Sequence, residues 1–169
     1  MPQSTDTYIR VQAGICAGIN MVVNPLLAWL GNRSMAYVPL WGDSCIVIDA
    51  AITSIIMTVV ITLFTVAGTR RALATGGVTD LESMGQEQGM FSRLPRNSWG
   101  LGFLLGFGVL LVLVPITIGS FALVGLSGLS FPGFALFKLI YTGIAAFFVT
   151  RLVILRCLSD DAQAPRSAA

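Results

Sequence analysis

One stretch constrains this chain more than any other: residues 46–68, IVIDAAITSIIMTVVITLFTVAG. As a helix rising 1.5 Å per residue, an apolar run of this length crosses the roughly 30 Å hydrocarbon core of a bilayer. It carries an acid, Asp49, close to one end. A carboxylate at that depth is costly and needs a partner, a cavity or a route to the interface. The only other ionisable side chain comparably far inside an apolar run is Lys138.

Composition extends the membrane reading to the whole chain. Of 169 residues, 55% are hydrophobic and only 11% charged, against about a quarter charged in ordinary globular chains. The net charge of +2, with no basic run, excludes a nucleic-acid partner. Histidine is absent, which removes the commonest metal ligand and the commonest general base at neutral pH. Cys16, Cys45 and Cys157 form no C-x-x-C, so neither a metal site nor a dithiol redox site is expected. Ser44 and Cys45 have only Asp43 or Asp49 nearby as a base, and no G-x-x-x-x-G-K loop cradles a phosphate. The chain is therefore read as a non-enzyme without a cofactor, with the lipid bilayer as its first partner.

Four spans are expected, at about 8–30, 44–69, 99–124 and 133–158. They make an all-α, polytopic membrane protein, a single integral domain over 1–169 with its four transmembrane helices in a bundle. Asn20, Asn24 and Pro25 interrupt the first run, which is long enough to span, so it reads as a retained helix and not a cleaved leader. Residues 70–98 form the one sizeable polar loop, in which Thr79-Asp80-Leu81-Glu82 resembles a helix start. Residues 159–169 read as a disordered tail. Arg10, Arg70, Arg71, Arg93, Arg96, Arg151, Arg156 and Arg166 fall on one side of the four-pass scheme and Arg33 on the other. The bias of positive charge places both termini and the 70–98 loop in the cytoplasm, with a bacterial inner membrane as the expected location. Trp29, Tyr37 and Trp41 mark the opposite interface.

Residue spacing assigns faces to these helices. Ala13, Ala17, Asn20, Asn24 and Ala28 share one side of the first helix, with Gly14 and Gly18 on the adjoining flank. Gly102 and Gly106 share a side with Thr117 and Ser120. Both glycine pairs read as helix-packing seams, and their exposure in a four-helix protomer predicts a homo-oligomer or a subunit of a larger membrane assembly. Ser54, Thr58, Thr62, Thr65 and Thr69 form a hydroxyl stripe on the second helix, with Asp49 and Thr53 on roughly the opposite side. Lys138, Tyr141, Thr142, Ala145 and Val149 share a side of the fourth helix. The two halves also follow one plan, with 24 residues from Pro25 to Asp49 and 23 from Pro115 to Lys138. That plan suggests a parallel 2+2 repeat of helical hairpins.

Small multidrug transporters also have four short helices, but they carry a glutamate in the first, and none stands there in this chain. Four-helix quinone-linked thiol oxidases need paired cysteines, which are absent. Two readings of function remain. In one, Asp49, Lys138, Asn20, Asn24, Tyr141 and Thr142 line a polar intramembrane site in a permease or channel-like subunit, able to bind a solute or cycle a proton. In the other, the charges fix which helix faces meet, or Lys138 snorkels to the interface, and the protein is a non-catalytic structural or accessory subunit. An accessible cavity around the charges favours the first reading, and a dry contact the second.

Overall fold

The computed structural model describes residues 3–32, 35–79 and 94–163. It contains four long helices, α1 (Thr5–Asn32), α2 (Ile46–Ala74), α3 (Ser98–Val124) and α4 (Phe131–Gln163). Each contains a segment long and apolar enough to cross a membrane. Four short strands join them in two pairs, β1 (Gln3–Ser4) with β3 (Val78–Thr79), and β2 (Tyr37–Pro39) with β4 (Gly128–Ser130).

The helices outrun their apolar stretches, because hydropathy marks a span and capping marks a helix end. The second helix continues through Arg70, Arg71 and Leu73, all good helix formers. It stops where Thr75 N–H donates to Arg71 O and Gly76 takes a left-handed φ of 64°. Its start lies at Cys45, whose thiol accepts from Ile48 N at 3.4 Å. Asn97 caps α3 by accepting from Trp99 N at 3.2 Å, and Gly125, with φ 70°, ends it. Likewise α4 continues to Gln163, past the point at which composition suggests a tail. Both α1 and α3 run through their prolines, Pro25 and Pro115. Arg33, Arg93 and Arg166, together with the Asp80–Glu82 part of the expected helix start, lie outside the described residues, while Thr79 belongs to β3.

Strand pairing gathers the connections at two ends. At one, Gln3 pairs in parallel with Val78. Arg70, Arg71, Arg96, Arg151 and Arg156 stand in the helix turns and links nearest this end. At the other, Tyr37, Val38 and Pro39 pair antiparallel with Ser130, Leu129 and Gly128, and Leu40 N–H donates to Ser127 O at 2.8 Å. The two links there are stitched together over a core of Ala28, Val38, Leu40, Ile46, Phe121 and Phe134.

Helix contacts follow the order α1–α4–α2–α3: α1 lies along α4, α4 against α2, and α2 along α3. Neither α1 with α2 nor α3 with α4 packs along its length. The α2–α3 contact is close because glycine permits it. A Cβ on Gly102 would stand 3.0 Å from Val59 Cα, and one on Gly106 would stand 3.1 Å from Ile55 Cα. This glycine pair is thus used within the chain, which corrects its expected role as an exposed seam. Among the described residues nothing lies within 4 Å of a Cβ added at Gly14 or Gly18, so none of them covers this pair. Ala13 of α1 is fully buried, and Met21 of α1 lies over Gly143 of α4. Outward faces carry large apolar side chains such as Leu111, Leu123 and Val124. Contiguous apolar surface of this kind is costly in water and matched by hydrocarbon.

Candidate intramembrane site

The separation of α1 from α2 leaves a groove of about 610 Å³ between them, with α4 beneath. Its walls are mostly apolar, including Ile19, Val23 and Leu27 from α1 and Ile52, Ile56 and Phe64 from α2. Polar groups lie on its floor: Asn20 and Asn24 from α1, Asp49 and Thr53 from α2, and Lys138 from α4.

Lys138 is 3% exposed, so its ammonium depends on protein partners. It donates to Asp49 Oδ2 at 2.5 Å and to Thr53 Oγ1 at 2.5 Å. Asp49 and Thr53 are four residues apart, one turn, and so offer their oxygens on one side of α2. The Asp49 side chain keeps 29% of its surface exposed, on the groove side. The ion pair is therefore asymmetric, with a buried cation and an anion that forms part of the groove floor. Snorkelling of Lys138 is excluded by its burial and by these bonds.

The asparagines are linked in series along α1. Asn20 Nδ2 donates to Cys16 O at 2.8 Å. Asn24 Nδ2 donates to Asn20 Oδ1 at 3.0 Å and reaches Met57 Sδ at 3.7 Å across the groove. Each amide nitrogen faces acceptors, which fixes the orientation of both side chains.

Tyr141 and Thr142 are buried but do not line the groove. Tyr141 Oη lies 2.6 Å from Ser54 Oγ in the α2–α4 contact, with its ring beside Phe137. Thr142 Oγ1 donates to Lys138 O at 2.8 Å and approaches Asn20 O at 3.1 Å, tying α4 to α1. The structure thus brings Asp49, Lys138, Asn20 and Asn24 to one groove and holds Tyr141 and Thr142 behind it. Thr53 was missing from the sequence-derived set, although its spacing from Asp49 could have included it. Of the hydroxyl stripe only Thr65 reaches the groove: Ser54, Thr58, Thr62 and Thr69 are buried, and Ser54 and Thr62 bond the carbonyls of Ala50 and Thr58.

At the β1–β3 end, Arg156 is 2% exposed and donates through Nε to Leu94 O at 3.0 Å. Its Nη1 stands 2.7 Å from Asp160 Oδ1 as an ion contact without hydrogen-bond alignment. That cluster joins α4 to the start of α3 and lies away from the groove. Among the described residues no group of three or more histidine, cysteine or acidic side chains is placed to hold a metal ion.

Comparison with protein-family models, with curated proteins and with solved structures gives no match. The functional reading therefore rests on the groove itself.

Proposed function

We propose that this chain is a small, non-enzymatic binding subunit of the bacterial inner membrane, permease-like in role. Its α1/α2 groove admits a molecule from within the bilayer, and Asp49 and Lys138 recognise the polar part of that molecule. The observation that carries this reading is the asymmetric ion pair: a purely structural pair has no need to leave its carboxylate on the floor of a 610 Å³ groove. That volume lies within the roughly 300–1,000 Å³ range of small-molecule sites. The gathering of arginines at the β1–β3 end supports a cytoplasmic location for that end and both termini. A continuous water pore is disfavoured by the apolar walls below Asp49.

The helix contacts also support descent from a duplicated hairpin. The α1–α4 contact mirrors α3–α2, and β2 and β4 pair with each other. The exposed series Ile48, Ile52, Ile56, Val60 on α2 corresponds to Leu136, Ile140, Ile144, Phe148 on α4. In that correspondence Lys138 matches Ala50, one residue away from the match that the sequence suggests. Phe137 then stands where Asp49 does, so the second half lacks the carboxylate, and the polar site exists once.

A second reading, an accessory subunit in a homo-oligomer or with other membrane subunits, is favoured by the uncovered Gly14 and Gly18. A nitroxide on Ile56→Cys, with the native cysteines replaced by alanine and the protein in lipid nanodiscs, separates the two. A groove open to lipid gives oxygen collision rates like those at Leu111→Cys on the outer face of α3, and low rates with a water-soluble nickel chelate. Exclusion of both agents would mean that protein fills the groove, overturning the binding reading in favour of the accessory one.

A further inference from the structure

A groove open to hydrocarbon along its side is filled by chains in a bilayer, so the question is which head the polar floor accepts. The strongest donor on that floor, the Lys138 ammonium, is buried and held against α2. Lys138 Nζ bonds Asp49 and Thr53, Asn24 Nδ2 bonds Asn20 and contacts Met57, and Asn20 Nδ2 bonds Cys16 O. Among the described residues, Asp49 Oδ1 and Asn24 Oδ1 accept no hydrogen bond. Of the two charged groups on the floor, the one exposed to the groove is therefore a carboxylate with an oxygen to spare, while the ammonium is 3% exposed.

Depth sets the rest of the occupant. Asp49 lies in the first turn of α2, next to the β2–β4 end. From there to Phe64 the groove follows α2 for roughly 22 Å at 1.5 Å per residue. Beyond Thr53 the α2 side of this path is apolar from Ile56 to Phe64, with the Thr65 hydroxyl at its far end and no charged group. The path suits one long alkyl chain, with its head held at the end nearest the interface.

Resting on the binding reading above, we infer that the groove takes a long-chain amphiphile whose head donates hydrogen bonds, an amine or an alcohol, to the Asp49 carboxylate. An anionic head is disfavoured because it meets that carboxylate first, while the compensating ammonium lies buried behind it. Engagement of Asp49 Oδ1 by a donor leaves the Lys138 bond to Oδ2 intact, so the helix contact need not open.

The test uses the full chain in phosphatidylcholine nanodiscs and three photoreactive sixteen-carbon probes, alike in chain and carrying an amine, a hydroxyl or a carboxylate head. Crosslinked residues are mapped by mass spectrometry. The amine or hydroxyl probe should label the α1/α2 groove roughly tenfold more than the carboxylate probe, the scale of one charge-assisted hydrogen bond. The double variant Asp49→Leu/Lys138→Met, which leaves no unpaired charge, should remove that preference while retaining general labelling. Equal labelling by all three heads, or preference for the carboxylate, would overturn the head assignment but leave a lipid-filled groove standing. Groove labelling no higher than at Leu111 on α3, for every head, would overturn the binding reading as well.

Discussion

Lys138 Nζ stands 2.5 Å from Asp49 Oδ2 and the same distance from Thr53 Oγ1, so one ammonium ties α4 to two successive turns of α2. This contact sits at the centre of the helix order α1–α4–α2–α3. Its two partners differ in environment, and that difference turns a helix clamp into a candidate site.

The two glycine pairs should respond in opposite ways to the same substitution. Gly102→Val and Gly106→Val push a side chain into the α2 backbone at Val59 and Ile55, and each should cost about 1–3 kcal/mol of stability as overpacking. At Gly14 an added Cβ meets nothing among the described residues, so Gly14→Val should leave protomer stability within about 0.5 kcal/mol. Thermal unfolding in nanodiscs reads both. If Gly14 and Gly18 face another copy, sizing with a mass measurement should show Gly14→Val shifting the assembly towards monomer with no loss of folding.

Tyr141→Phe removes the hydroxyl bonded to Ser54 but keeps the ring against Phe137. Ser54 still bonds Ala50 O at 2.7 Å and is not left without a partner. The expected loss is only about 0.6–1.5 kcal/mol, typical of a single interhelical hydrogen bond. A loss several times larger in thermal unfolding would show that Tyr141 does more than pack the α2–α4 contact.

Gly128 has the tightest surroundings at the β2–β4 end, because a Cβ there would collide with Val38 O and the Tyr37 ring. Gly128→Ala should break the β2–β4 ladder while the four helices persist. Amide exchange should therefore quicken at Val38, Leu40 and Ser130 with no fall in helical circular dichroism.

The spans were legible because hydrophobic runs of membrane length have few alternatives. Their ends were not, since Arg70–Ala74 and Ser159–Gln163 continue as helix after hydropathy has fallen. Nor could spacing decide between Gly14/Gly18 and Gly102/Gly106. The motif is the same in both, and only the arrangement of neighbours puts α2 against the second pair and none of the described residues against the first. Gly143 gave no signal, being a single glycine whose close approach by Met21 depends on the α1–α4 contact. The strands β2 and β4 are three residues each, too short for a periodic pattern. Both charges of the site stood out in the sequence. Their meeting required α2 and α4 to be neighbours, which no local pattern encodes, although the one-turn spacing of Thr53 from Asp49 already put both on one side of α2.

The most direct measurement of the central claim, that Asp49 and Lys138 act as one unit at the groove floor, is a double-mutant cycle on thermal stability in nanodiscs. It compares Asp49→Leu, Lys138→Met and the double variant with the native chain. Asp49→Leu strands a cation that is 3% exposed and should cost most, about 3–5 kcal/mol. Lys138→Met should cost less, because the Asp49 side chain is already 29% exposed. The double variant should recover much of the larger loss, giving a strong coupling between the two sites. Losses that simply add, with no recovery in the double variant, would contradict the pairing and the account of the site built on it.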